Sequence, residues 1–325
     1  MEIKFHKPNT RMVLSKYIFG DLMLSKNWLH IETTNRCTLK CPACPRTVWH
    51  NLIKRPVPKA DLNLEHLKSF LDCESMKEID QLLLCGDYGD TIYYPHLFEM
   101  IKMFRHKSFK IKTNGSRRSK EWWQELNSLL TEEDEIIFGI DGIDEENLKY
   151  RVNADWDSIL TGIDVVTKGP ATIKCSTLIF DFNKDKLDEI RDWAESKGMA
   201  WVSEKSMRFG DEKIIPKDKD LVREDELYKS EYAHKNSMKI APRCLEASVV
   251  TSDGYFMPCD WIRNPLTFYR SELYLNKQKW TDRLNISKIT LDQAYDVLAE
   301  WIQNVKDKGI KGEAEVLCKM KCREC

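Results

Sequence analysis

Between Trp28 and Glu204 short β-rich runs alternate with segments of helical spacing, and few folds accommodate that order. The β-rich runs are expected at Trp28–Glu32, Ile79–Cys85, Phe109–Thr113, Glu135–Ile140, Thr172–Phe180 and Ala200–Glu204. Apolar residues recur with helical period across Leu64–Leu71, His96–Phe104, Trp122–Leu130, Ile159–Val166 and Leu187–Ser196. Strand and helix in strict alternation predict an α/β chain with a parallel sheet and right-handed crossovers. Six such units make an open, partial (βα)6 barrel rather than the closed eightfold one.

The 325 residues leave room for a second, smaller unit. Residues 211–240 are rich in charge and poor in apolar periodicity, which reads as an exposed connector. The expected organisation is an N-terminal extension over 1–27, the barrel over 28–210, this connector, and a small α+β domain over 241–325. Within that domain Val249–Thr251 and Tyr255–Met257 flank Ser252-Asp253-Gly254, a hairpin signal, and Leu291–Val305 has the spacing of an amphipathic helix.

Lys and Arg number 51 against 52 Asp and Glu, so net charge gives no sign of attraction to nucleic acid or anionic membrane. The first twenty residues lack the apolar core of a signal peptide, and no later run approaches the ~18 apolar residues of a membrane span. A cytoplasmic location is therefore expected. In that reducing compartment the 11 cysteines point to metal binding rather than disulfides. Cys37, Cys41 and Cys44 form a C-x3-C-x2-C group just after the first strand, and Cys244, Cys259, Cys318, Cys322 and Cys325 form a second group. Cys73, Cys85 and Cys175 stand alone and read as small core residues.

Three thiolates on one tight loop can hold three irons of a cubane and leave the fourth open, but soft thiolates also suit zinc. Spacing alone leaves both open, with His50 the nearest fourth ligand for zinc. This loop resembles that of the radical S-adenosylmethionine (SAM) superfamily, in which the open iron chelates the methionine part of SAM. The resemblance departs at Ala43, where the family usually has an aromatic residue.

Further positions carry the same resemblance. Gly89-Asp90-Thr91-Ile92-Tyr93-Tyr94-Pro95 is similar to the family's G-E-P-x-x-x-P, with Asp for Glu and Thr for the first Pro. In relatives this motif holds the SAM ammonium, and a carboxylate beside a flexible Gly suits that role. A Gly/Asp turn after a strand is the plainer alternative. By resemblance Asn114, at the end of the third strand, faces SAM. Asp141 and Arg151 match the family's "S-x-D-G … R" stretch, while Gly139 stands where a small hydroxyl residue is usual. Arg151 suits a bidentate pair with the SAM carboxylate, and a surface ion pair with Glu145 or Glu146 suits it equally.

The second cysteine group resembles the SPASM and twitch extensions of radical SAM enzymes, which carry auxiliary [4Fe–4S] clusters. Five thiolates are too few for two fully ligated cubanes, so one cluster is expected, on Cys244, Cys259, Cys322 and Cys325, with Cys318 as rival for a terminal place. A four-cysteine zinc knuckle satisfies the same spacing. The resemblance implies reductive cleavage of SAM to a 5′-deoxyadenosyl radical, hydrogen abstraction from a peptide or small molecule, and an electron donor such as flavodoxin or ferredoxin. Asp260, beside Cys259, is the candidate base. Group transfer from SAM and a non-catalytic zinc protein are the competing functions.

Overall fold

The computed structural model describes residues 27–54, 59–205, 216–222, 248–260 and 271–311, with Cys244, Ile262, Phe268, Cys318 and Cys322. Cys325, the extension up to residue 26 and most of the connector lie outside these residues, as do the side chains of Trp49 and His50.

In the first five expected strands apolar residues recur at every second position, and those residues are buried. Leu29 and Ile31 of β1 (Trp28–Ile31), Leu82 and Leu84 of β2 (Gln81–Leu84), and Phe109 and Ile111 of β3 (Ser108–Thr113) are essentially inaccessible. Ile136 and Phe138 of β4 (Glu135–Gly139) and Ile173 and Cys175 of β5 (Thr172–Leu178) continue the layer. Each large side chain so buried contributes about 1.5–3 kcal/mol before entropy is counted. With β6 (Ala200–Glu204), these strands pair in order and in parallel.

The intervening helices supply the other half of the core. They are α1 (Pro45–Ile53), α2 (Leu64–Leu71), α3 (Leu97–Met103), α4 (Lys120–Leu129), α5 (Glu145–Leu148), α6 (Trp156–Val166) and α7 (Leu187–Ser196). Asn63, Ser119 and Asp155 cap α2, α4 and α6, each side chain accepting from a backbone N–H of the first turn. Helix α1 is absent from the sequence expectation; it starts at Pro45, whose missing N–H costs nothing at a first helical position.

The opposite sheet face carries polar groups. Lys110 and Lys174 both pair with Glu135, which fixes the side-chain direction of β3, β4 and β5 on that face. The (βα) repeat thus gives one dry face and one accessible face, with the sheet open at β6.

The hairpin of β7 (Val249–Val250) and β8 (Phe256–Met257) turns at Gly254 and pairs antiparallel. Its place is a finding: β7 runs parallel to β1, so the sheet order is β6-β5-β4-β3-β2-β1-β7-β8. The expected small domain therefore contributes two strands to the large sheet. Beyond them lie α8 (Glu272–Leu275) and α9 (Leu291–Lys311), and Trp280 and Trp301 pack edge to face between these parts. Among the described residues no helix is long and apolar enough to cross a membrane.

Candidate active site

Parallel strands bring all their C-terminal ends to one rim, and there the loops after β1, β2, β3 and β4 converge. The loop after β1 is held from several sides. Glu32, fully buried, accepts from the backbone N–H groups of Asp87 and Tyr88 at 2.6 and 3.2 Å. The Asp90 N–H donates to the Arg36 carbonyl at 2.8 Å. From the other side Lys40 N–H donates to the Val152 carbonyl at 2.9 Å, and Asn153 Nδ2 to the Thr38 carbonyl at 2.6 Å. The cysteine loop is thereby fixed between the second and fourth βα loops.

Within it, Cys41 and Ala43 pack with Leu39 on Tyr150 and Phe180, and Cys37 and Cys44 sit at the margin of this cluster. The loop ends as a turn that leads into α1, with Cys44 N–H donating to the Cys41 carbonyl and Val48 N–H to the Cys44 carbonyl. Leu39 N–H and Asn114 Nδ2 both point at Cys37 Sγ, at 3.4 and 3.7 Å. The Cys37 thiol is pushed up to about 12 by burial first, then by the Asp90 carboxylate and the neighbouring Cys44 and Cys41 thiols. Such a group stays protonated unless a metal takes the proton's place.

Asn114 joins this loop to the next motif. Its backbone N–H donates to Asp90 Oδ2 at 2.6 Å, and its side-chain Nδ2 donates to the same oxygen. Asp90 Oδ1 accepts from Ile92 N–H at 3.2 Å. Burial nevertheless pushes the Asp90 carboxyl up, against these hydrogen bonds, so an added cation would relieve a real desolvation cost. Gly89 lets the loop pass: a Cβ there would lie 2.0 Å from the Thr34 carbonyl oxygen.

In the loop region after β4, Asp141 is fully buried and Arg151 is partly buried. Arg151 Nε donates to Asp141 Oδ2 at 2.8 Å, and Leu178 N–H donates to Asp141 Oδ1 at 2.9 Å. Of the two partners that the sequence left open, Glu146 pairs with Lys186 and Lys149 instead. Burial would lower Arg151, but Asp141 and Cys41 outweigh it, and the guanidinium is held above its ordinary value. Its Nη groups lie over Gly139.

The second cysteine group also assembles. Cys244 is buried and feels Cys259, Cys318 and Cys322 electrostatically; burial first, then these thiols, raise it well above its ordinary value. Cys322 N–H donates to the Cys318 carbonyl at 2.9 Å. Cys318, the sequence's rival ligand, is thus among the gathered thiols, while Cys325 lies outside the described residues. Asp260 follows Cys259 beyond β8 and is half-buried.

Among the described residues no three His, Cys, Asp or Glu side chains gather tightly enough to hold a single metal ion. The donor chemistry of Cys37, Cys41 and Cys44 does fit an iron–sulfur cubane, which takes one thiolate per iron and is tuned by N–H groups directed at sulfur. Leu39 N–H and Asn114 Nδ2 are such groups. Glu32, which orders the second loop, escaped sequence analysis, although a carboxylate closing an apolar strand is a visible signal.

No protein-family model matches the chain. GTP 3′,8-cyclase of Bradyrhizobium diazoefficiens is 25% identical over 215 residues, 62% of this chain and 59% of that protein. The tungsten-containing aldehyde ferredoxin oxidoreductase cofactor-modifying protein of Pyrococcus furiosus is 26% identical over 117 residues, 35% of this chain and 30% of that one. The chain spans less than two thirds of the length of these curated relatives. Among solved structures, anSMEcpe with bound AdoMet (SAM) covers 92% of this chain and 90% of its own at TM-score 0.58 and 15% identity. Streptococcus suis SuiB bound to precursor peptide SuiA covers 86% and 66% at TM-score 0.59 and 14% identity. The cysteine loop at the end of β1, a fold shared with AdoMet-bound proteins and sequence similarity to GTP 3′,8-cyclases support the resemblance of the chain to the radical SAM superfamily.

Proposed function

We propose that this chain is a radical SAM enzyme that abstracts hydrogen from a peptide or small molecule, aided by an auxiliary iron–sulfur cluster. The observation that carries the reading is Asn114, whose amide reaches both Cys37 Sγ and the Asp90 carboxylate and so ties the cluster loop to a cation site. Cys37, Cys41 and Cys44 would hold the SAM-binding [4Fe–4S] cluster. When bound, the cluster and SAM supply a 5′-deoxyadenosyl radical.

The chain's own residues bind and orient. Asp90, with Gly89 giving close approach, receives the ammonium of SAM, and Asn114 keeps that carboxylate facing the rim. Asp141 occupies Nε of Arg151, leaving the Nη edge for the SAM carboxylate. Substrate lies over the accessible face of the sheet, where the buried surroundings keep stray hydrogen donors out. Cys244, Cys259, Cys318 and Cys322, with Cys325 as a further candidate, hold the auxiliary cluster, which would accept the electron left by a two-electron oxidation. Asp260, next to Cys259, is placed to take the accompanying proton. A flavodoxin or ferredoxin would deliver the electrons. Both anSMEcpe and SuiB are seen with bound peptides, which supports a peptide substrate, while the similarity to GTP 3′,8-cyclases supports a small molecule.

Iron and sulfide quantitation on anaerobically purified protein tests the cluster content. Two cubanes give about eight irons per chain, and about four would remove the auxiliary cluster. A colourless protein with zinc in place of iron would defeat the whole reading.

A further inference from the structure

Trp123, Trp280 and Trp301 are all buried in the core, yet their indole N–H groups have three different fates. Trp123 Nε1 has no hydrogen-bond partner among the described residues. Trp280 Nε1 donates to Glu272 Oε1 at 3.3 Å. Trp301, only 2% exposed, donates to the sulfur of Cys244, which is itself buried. Packing explains the place of Trp301 on α9, where Leu291, Ala294, Leu298, Trp301 and Val305 share the face turned to the core. Packing does not explain the direction of its N–H. A neutral thiol is a weak acceptor, and a sulfur becomes a strong one when it carries charge as a metal ligand.

Cys244 lies with Cys259, Cys318 and Cys322, and one thiolate per iron is the donor set of a cubane. The indole is fixed against this group from two sides. Trp280 packs on it edge to face with ring centroids 5.1 Å apart, and α9 is anchored to the barrel where Asp292 accepts from Ser75 N–H at 2.9 Å. An N–H directed at a ligand sulfur favours the more negative, reduced form of a cluster and so raises its potential. We infer that Trp301 is a positioning residue for the auxiliary cluster, whose indole N–H orients the Cys244 ligand and makes the cluster a readier acceptor for the electron that substrate oxidation leaves behind. The inference rests on the proposed auxiliary cluster and adds a determinant from a helix that carries no cysteine.

Redox titration of the anaerobically reconstituted full-length chain, followed by electron paramagnetic resonance, reads this directly. The auxiliary signal is the one that added SAM leaves unchanged. Trp301→Phe and 3-benzothienylalanine at position 301 both remove the N–H, and the second keeps the shape of the indole. Both should keep about eight irons per chain and lose about tenfold in preference for the reduced cluster, a potential about 59 mV more negative. Trp280→Phe alters the same ring pair, but its N–H goes to Glu272, so this variant should keep the potential of the unaltered chain. An unchanged potential in the benzothienyl variant would overturn the inference. An equal shift in Trp280→Phe would overturn it too, because packing would then be the cause. So would loss of the auxiliary cluster from the benzothienyl variant, because the N–H tunes a cluster that the cysteines hold. An unaltered chain with only about four irons would instead remove the underlying reading.

Discussion

At the scale of single residues, the rim is built from close approaches that tolerate little added bulk. Gly89 is the sharpest case, because its added methyl would meet the Thr34 carbonyl oxygen at 2.0 Å and Asn35 Cα at 2.7 Å. Both are backbone atoms, so a whole loop must move. Gly89→Ala should lower unfolding free energy by roughly 1–3 kcal/mol in denaturant titration, and an unchanged midpoint would show that the two loops slide freely. The sequence announced Gly89 through its motif. It did not announce Glu32, since that role depends on which loop lies opposite, and that is set by strand order rather than by neighbours in the chain.

At the scale of elements, the six barrel strands fall within two residues of their expected starts because alternating burial writes itself directly into composition. The hairpin around Gly254 was legible for the same local reason. Its pairing with β1 was not, because a parallel pair between residues 30–31 and 249–250 has no local signature. The ion pairs on the accessible face were equally hidden, yet they have a measurable effect. Burial would raise Glu135, but Lys174 and Lys110 outweigh it and hold the carboxyl below its usual range. A depressed acid stabilises the fold above its unfolded value of about 4.3, and that contribution is lost as pH falls through the folded value. Glu135→Gln should therefore flatten the loss of stability between about pH 5 and pH 3 followed by denaturant midpoint. A slope identical to that of the unaltered chain would mean the three groups do not interact.

At the scale of the whole molecule, residues from both ends of the chain share one core. Leu29, Phe70 and Ile111 belong to the same buried cluster as Phe256, Trp280, Leu298 and Trp301. Phe70 of α2 touches Phe256 of β8, with ring centroids 5.8 Å apart. Asp292, near the start of α9, accepts from Ser75 N–H at 2.9 Å. The cluster-free chain should accordingly unfold in one transition, coincident by tryptophan fluorescence and far-ultraviolet dichroism. Two separated transitions would show that the part after the connector folds independently. The two cysteine groups would then owe their relative placement to something other than this shared core.

The chemistry proposed for the rim has one direct readout, the formation of 5′-deoxyadenosine when the anaerobic, iron-loaded protein is reduced with dithionite in the presence of SAM. The unaltered chain should form it, and a variant with Cys37, Cys41 and Cys44 all replaced by Ala should form none. Full iron loading with intact SAM, or equal product from the cysteine-free loop, would contradict a SAM-cleaving cluster at the end of β1.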